Sequence, residues 1–366
     1  MQSTERLISL DVFRGITIAG MIIVNNSGSM DIYPFLTHGR WNQWTLADLV
    51  FPFFLFIVGV VIPFSFSNRL THNDNRNKLY LHIIKRTIIL FGLGLFINSF
   101  PYPSIGRIPG VLQRIALCYF FASIVVLNTS KRGQAITAII LLALYWTVMK
   151  LVPVPGYGAV MLTKQVNLAY YVDNLLMHGH MLEPTMDPEG LLSTVPAIST
   201  TLFGVMAGHL LNSSKNLTKK TILLLIMGGA GIIAGLIMDI WFPINKNLWS
   251  PSYTVFTAGI ALCCLSVCYW FVDVKGYRRW GQPFVIYGTN AIAVYVLSSL
   301  LARSLYLLTL TQPDGSKIRL STYIFERLFA SWASPFNASL FYALTYALIW
   351  FGFAAILYKK RIFIKL

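Results

Sequence analysis

Two pairs of ionisable side chains near the start of the chain have types and spacings suited to chemistry at a membrane. Asp11 and Arg14 are three residues apart in an apolar run, so they share one helical face. His38 follows in the polar loop LTHGRWNQW, and Asp48 comes shortly after it in TLADLVF. An imidazole partly shielded from water can accept a proton near neutral pH, which makes His38 a candidate general base.

Each of these residues also has a purely structural interpretation. Asp11 and Arg14 can form an ion pair that anchors the end of a helix, although ionisable residues inside membrane segments are also candidates for function. Thr45 and Asp48 have the spacing of a helix capping box. Asp48 can in addition orient His38 or pair with a basic residue of another helix. The sequence leaves these alternatives open.

Polar residues at the ends of later apolar segments extend the set. The segment RIPGVLQRI contains Arg107 and Arg114. Arg114 falls within an apolar run, so it needs an anionic partner, either a carboxylate of another helix or a ligand phosphate. Arg107 is interpreted as a surface charge, and Asp187 and Glu189 as acids that favour a helix N-terminus.

A polar and aromatic rim suited to gripping a sugar is predicted around the segment PINKNLWSPSY, although interfacial Trp residues are also ordinary membrane anchors. The residues that we assign to acceptor binding lie in this segment, just before it, or beside His38: Lys246, Asn247, Trp249, Asp239, Trp41 and Asn42. His178, His180 and Glu183 resemble a metal-binding set only loosely, and no metal is expected.

Membrane-spanning helices must position all of these residues. Of the 366 residues, 56% are hydrophobic and only 11% are charged, against roughly 25% charged in a soluble domain. Apolar runs long enough to cross a bilayer predict an all-α, polytopic integral membrane protein of about ten helices. The predicted segments lie at about 7–27, 45–67, 80–99, 111–128, 133–152, 191–211, 220–242, 252–272, 283–307 and 337–358.

The basic residues indicate how these helices are oriented. The net charge of +16 does not come from one basic patch, so it does not indicate nucleic-acid binding. Instead, Lys and Arg concentrate in alternate gaps, which predicts a cytoplasmic N-terminus and a cytoplasmic C-terminus. Residues 1–366 are predicted to form a single domain, with long noncytoplasmic loops at about 153–190 and 308–336.

Several motifs, in this order, resemble the heparan-alpha-glucosaminide N-acetyltransferase family. The resemblance covers about residues 6–300 and is to compact bacterial members, which lack the additional N-terminal lumenal domain of the animal enzyme. The matching motifs are SLDVFRG, VNNSG, LTHGRWN with TLADLVFPFFLFIVG, RIPGVLQR, DPEGLLST, FPINKNLWSPSY, and the stretch from VDVKG to YGTNA.

The resemblance implies transfer of acetyl from cytoplasmic acetyl-CoA, as cosubstrate, to the amine of a glucosamine-type sugar on the far side of the membrane. His38 matches the catalytic histidine of the family and Asn25 its active-site asparagine. Asp11 and Arg14 match its first-helix pair, and we assign acetyl-CoA binding to Arg14, Arg114 and Asn290. The expected location is the bacterial cytoplasmic (inner) membrane, and a homodimer is left open.

Acetyl transfer requires an amine to lose a proton while it attacks a thioester, and the resulting oxyanion needs a donor. We therefore expect His38 to act as general base, or as the acetyl acceptor of a two-step reaction, and Asn25 to donate to the oxyanion. The rival from another class is a secondary transporter of an amino sugar or a related polar solute, since buried polar residues also line transport pathways.

Overall fold

Helices dominate the computed structural model, which describes residues 7–71, 76–102, 104–158, 160–184 and 186–364. Within these ranges, nine helices are long and apolar enough to cross a membrane, and a bent pair of helices provides a tenth span. The predicted all-α membrane protein of about ten spans is confirmed.

The helices follow each other with few other elements between them. In chain order they are α1 (Ile8–Asn25), α2 (Val50–Thr71), α3 (Arg76–Ser99), α4 (Val111–Asn128), α5 (Lys131–Leu151), α6 (Leu168–Met177), α7 (Thr194–Leu211), α8 (Leu217–Asp239), α9 (Pro251–Tyr269), α10 (Gln282–Thr289), α11 (Ala291–Leu307), α12 (Leu320–Phe325) and α13 (Pro335–Lys359). A 3-10 turn at Leu46–Leu49 leads into α2, and a π-helical turn at Trp270–Val274 continues α9. Strands β1 (Thr309–Thr311) and β2 (Lys317–Arg319) form a short antiparallel hairpin.

The ninth predicted segment is not one continuous helix. It is broken into α10 and α11, which meet at an angle of 75°. At the break, the Asn290 side chain donates to the Ile362 carbonyl (3.0 Å) and accepts from the Ile364 N–H (2.9 Å). Side-chain bonds of this kind compete with helix continuation, and apolar periodicity carries no sign of them.

The spans form an inner group and an outer group. At least half of the apolar stretch of α1, α2, α4, α7 and α9 is buried in the protein, against 17–28% for α3, α5, α8 and α13. Because the less buried helices are as apolar as the others, their exposed faces suit contact with lipid. The core therefore lies among the inner helices, and the loops that connect to their ends are held in place by this core.

Close packing of α2 against α7 depends on glycine. A side chain at Gly204 would overlap the carbonyl oxygen of Phe56, and one at Gly59 would overlap that of Thr201. The two backbones therefore approach each other at these positions as small residues allow between membrane helices. This contact places the start of α2, and with it the preceding 3-10 turn that contains Asp48, at the same end of the bundle as the start of α7.

Contacts between loops define two ends of the bundle. The His38 end is formed by the described residues of the segments at 26–45, 100–110, 152–193, 240–250 and 308–334, which include α6, α12 and the hairpin; there the Ile108 N–H donates to the His180 carbonyl (2.9 Å). At the opposite Asp11 end, the Ser9 N–H donates to Asp273 Oδ2 (3.3 Å). Arg6 and Lys365, two basic residues behind the topology prediction, lie outside the described residues, and the orientation of the termini stays a prediction.

The glycine contact predicts a stability difference. Gly204→Ala should lower the free energy of unfolding by about 1–3 kcal/mol, because the methyl group forces α2 and α7 apart. Gly92→Ala is the matched control, since nothing lies within 4 Å of the position its methyl group would take. Thermal unfolding of both variants in detergent measures the effect. A Gly204→Ala protein as stable as the control would contradict this packing.

Candidate active site

A polar cavity opens at the His38 end of the bundle. Its volume is about 250 Å³. Four segments that are far apart in the sequence surround it, so only the folded helices bring its walls together. The lining residues are His38, Gly39, Arg40, Gln43 and Asp48 from the first segment, Arg107 and Val111 from the second, Leu182, Pro188 and Glu189 from the third, and Lys246 and Asn247 from the fourth.

Asp48 is held in place by hydrogen bonds within the 3-10 turn that leads into α2. The predicted capping box is present: the Thr45 side chain accepts from the Asp48 N–H, and the Thr45 N–H donates to Asp48 Oδ2 (3.1 Å). The Gly39 N–H donates to the same carboxylate oxygen (2.8 Å). Asp48 is only 1% exposed, so these donors replace the water that an ionised carboxylate would otherwise need.

His38 lies against this carboxylate. Its Nδ1 is 2.8 Å from Asp48 Oδ1, while half of the imidazole remains exposed to the cavity. An Nδ1–H that donates to a carboxylate leaves Nε2 unprotonated, and the carboxylate stabilises the ring when Nε2 accepts a proton. The pair can therefore act as an oriented general base, or as a nucleophile, at the wall of the cavity.

Lys246 adds a cation to the pair. Its Nζ is 3.1 Å from Asp48 Oδ1, 2.9 Å from His38 Nδ1 and 3.5 Å from His38 Nε2. Asp48 thus faces two side chains through one oxygen and two backbone N–H groups through the other. The ammonium is mostly shielded from solvent, which strengthens its electrostatic effect on the ring.

An ionic cluster forms another wall. Arg107 donates to both oxygens of Asp187, at 2.7 and 2.6 Å, and also to Glu189. Burial opposes the charge on Arg107, but the two carboxylates outweigh it and raise the pKa of the guanidinium above its ordinary value. Asp187 itself is fully buried and also accepts from the Leu182 N–H (2.8 Å). The cluster ties the loop before α4 to the loop before α7.

The acceptor residues predicted from the sequence separate into two groups. Lys246 and Asn247 line the cavity together with His38. Trp41, Asn42 and Asp239 do not line it; they bond to the backbone or side chains of neighbouring loops and so help to shape its surroundings. Their partners are the Leu162 carbonyl for Trp41, Asn245 for Asn42 and the Ile244 N–H for Asp239.

Trp249 lies in the core rather than on a rim. It is 1% exposed, its indole N–H donates to Thr200 Oγ1 (3.1 Å), and its ring is 5.0 Å from the guanidinium carbon of Arg114. Arg114 is also 1% exposed and donates to the Gly190 carbonyl and to Ser193. Its hydrogen bonds thus go to a backbone carbonyl and a hydroxyl rather than to a carboxylate of another helix, and the alternative partner, a ligand phosphate, stays a prediction.

The residues assigned to acetyl-CoA occupy different ends of the bundle. Arg114 lies near the start of α4, at the His38 end, whereas Arg14 and Asn290 lie toward the Asp11 end. Arg14 bonds to Asp11 (3.1 Å), which is the ion pair that the spacing predicted. Asn25 is exposed at the end of α1 and is not among the residues that line the cavity. The structure does not bring these residues together.

Sequence reasoning missed the wall of the cavity that contains Arg107 and Glu189. The sequence favours a surface charge for Arg107 and a helix-start charge for Glu189, yet both line the cavity. They are 82 residues apart, so no local spacing connects them. One usable signal exists: the chain has only 13 acidic residues, and two of them, Asp187 and Glu189, lie two residues apart in the segment before α7. Among the described residues, no group of three or more His, Cys, Asp or Glu side chains could hold a metal ion.

Comparison with known proteins connects this site to an enzyme family. The model of the family described as heparan-alpha-glucosaminide N-acetyltransferase, catalytic, matches residues 6–235. The chain is 30% identical over 425 aligned positions to the heparan-alpha-glucosaminide N-acetyltransferase of Mus musculus, an alignment that covers all of this chain. It is 33% identical over 352 positions to the Homo sapiens protein of the same name, with 80% of this chain covered.

The chain is shorter than these relatives. The alignments cover 61% of the mouse protein and 52% of the human protein. The segment matched by the family model contains His38, Asp48 and the Arg107 cluster, whereas Lys246 lies beyond it.

The ionic cluster predicts a large stability effect. Arg107→Met should destabilise the protein by about 3–5 kcal/mol, because it leaves the buried Asp187 carboxylate without its charged partner. Arg40→Met is the control, since Arg40 is an exposed residue of the same cavity. Thermal unfolding in detergent distinguishes the two. Equal losses in both variants would show that the cluster does not hold this end of the bundle together.

Proposed function

The chain belongs to the heparan-alpha-glucosaminide N-acetyltransferase family, and from this premise and the geometry of the cavity we propose that it acetylates an amino sugar with acetyl-CoA as donor. The acceptor is a glucosamine-type sugar that enters the cavity at the His38 end. The donor comes from the cytoplasm, and the protein acts in the bacterial cytoplasmic membrane. The family assignment and the helices that suit a bilayer support this proposal.

The contact between His38 and Asp48 carries the proposal. Acetyl transfer to an amine needs a base beside the reacting nitrogen, and the His38 ring is 2.8 Å from a carboxylate that can set its tautomer. The same ring faces a polar cavity bounded by hydroxyl-binding groups such as Glu189 and Asn247. A sugar amine bound there would lie within reach of Nε2.

The reaction proceeds by addition and elimination. The neutral amine attacks the thioester carbonyl, its proton moves to His38 Nε2, and an oxyanion forms on the former carbonyl carbon. When the oxyanion collapses, the C–S bond breaks and the imidazolium returns the proton to the departing thiolate. In the two-step variant, Nε2 itself first takes the acetyl group as the C–S bond breaks and the thiolate leaves. The amine then attacks the acetyl-imidazole, the C–N bond to Nε2 breaks, and the released Nε2 takes up the amine proton.

Acetyl-CoA must reach His38 across most of the bilayer. Arg14 and Asn290 lie toward the Asp11 end, which suits the phosphates and adenine of a donor that stays at the cytoplasmic face. α1 has 18 residues and so separates the two ends by about 27 Å. The donor would therefore extend its pantetheine arm between the helices, and Arg114 lies near the far end of that route.

Removal of the base tests the proposed function. Purified wild-type protein in detergent should convert glucosamine and acetyl-CoA to N-acetylglucosamine, detected by mass spectrometry. His38→Ala should lower kcat by about 10²- to 10⁴-fold, because the amine then loses its proton acceptor. His178→Ala is the control, since His178 is exposed on a loop and bonds to Asn174. Lack of transfer by the wild type, with uptake of unmodified sugar into vesicles, would identify a transporter instead.

Asp48 should affect kcat because it orients the His38 ring. Asp48→Asn should reduce kcat strongly, by up to about 10⁴-fold as in an Asp→Asn change within a Ser-His-Asp triad, because an amide can fix the wrong tautomer. Binding of the acceptor, measured by calorimetry, should change little. Wild-type kcat in the Asp48→Asn protein would rule out an orienting role for this carboxylate.

A further inference from the structure

The oxyanion formed during acetyl transfer needs a donor close to His38. Asn25, which the sequence assigns to this task, is exposed at the end of α1 and outside the cavity lining. A suitable donor must instead line the cavity and lie close enough to Nε2 to donate a hydrogen bond to an oxyanion that forms beside this nitrogen. Three cations line the cavity, namely Arg40, Arg107 and Lys246.

Two of these cations are poorly suited. Arg107 is committed to three bonds with the carboxylates of Asp187 and Glu189 on another wall. Arg40 is exposed to solvent, where its charge is strongly screened. Lys246 is only 17% exposed, and its Nζ lies within 3.5 Å of both ring nitrogens of His38.

The two distances to the ring define where the ammonium lies. Lys246 Nζ is 2.9 Å from Nδ1 and 3.5 Å from Nε2. A donor on the Nδ1 lone pair would be much further from Nε2, since the two lone pairs point away from each other. The nearly equal distances therefore place Nζ over the face of the ring, off both lone-pair directions, and leave the in-plane direction of Nδ1 to Asp48.

This position has two chemical consequences. The ammonium carries three donors, and only one is needed for Asp48 Oδ1 at 3.1 Å, so others remain for a ligand in the cavity. The ammonium is 3.5 Å from Nε2, so it can donate a hydrogen bond to an oxyanion that develops on a substrate bound beside this nitrogen.

From these observations we infer that Lys246 is a catalytic residue whose ammonium stabilises the oxyanion of acetyl transfer; the inference rests on the proposed function. In the reaction, the amine nitrogen bonds to the acetyl carbon and the C=O electron pair moves to oxygen, where Lys246 donates a hydrogen bond. The pair then reforms the carbonyl as the thiolate leaves. Lys246 exchanges no proton in this step and is unchanged at its end.

Kinetics of three substitutions test this role. Lys246→Met and Lys246→Gln should each lower kcat by about 10²- to 10³-fold with little change in the acceptor KM, the loss known for removal of one oxyanion donor. Lys246→Gln retains a side-chain donor that can still bond to Asp48. It therefore distinguishes loss of the positive charge from loss of the hydrogen bond that holds Asp48. Lys246→Arg, which keeps the charge, should recover part of kcat. Lys164→Met, on an exposed loop, is the control.

Each other outcome overturns the inference. A raised acceptor KM with unchanged kcat would show that Lys246 only binds the acceptor. Wild-type kcat in the Lys246→Gln protein would show that the charge of Lys246 does not contribute to the reaction. If Lys246→Met fails to fold, as thermal unfolding would show, the Gln and Arg variants still decide. Absence of transfer by the wild type would instead refute the proposed function, so the two failures are distinguishable.

Discussion

One buried carboxylate organises the His38 end of this membrane protein. Asp48 is almost completely removed from water, and an ionised group in that position is stable only when donors surround it. Its partners come from three places: the cap of its own helix, the loop that carries Gly39 and His38, and the segment after α8 that carries Lys246. Satisfying this carboxylate therefore fixes the loops that form the cavity.

In the proposed reaction, the membrane imposes a second constraint, because the two substrates would differ in where they can go. A free coenzyme A thioester carries several phosphate charges and does not cross a bilayer unaided. The bundle has polar residues at both ends, with the Asp11–Arg14 pair and Asn290 at one and His38 with its partners at the other. An enzyme with such an arrangement can use a donor from one compartment on an acceptor in another without moving either substrate completely across.

Much of the fold was predictable because lipid requires long apolar segments, and these are visible in the sequence. All ten predicted segments correspond to helices, and the capping box at Thr45 was recognised from its spacing alone. The bend at Asn290 was missed, since it depends on a tail 72 residues away. Only part of the cavity was predicted, because its remaining contacts also join residues that are distant in the sequence. His38 and Asp48 are close in sequence, whereas Arg107 meets Asp187 and Glu189 only after α4 and α7 have packed.

In the proposed reaction, an acetyl group passes from a donor at the Asp11 end to an amine at the His38 end. Proteoliposomes loaded with acetyl-CoA carrying a labelled acetyl group, and bathed in glucosamine, measure this transfer. Labelled N-acetylglucosamine is expected in the external medium while coenzyme A stays inside. Labelled product confined to the lumen, or formed only when both substrates share one compartment, would contradict it.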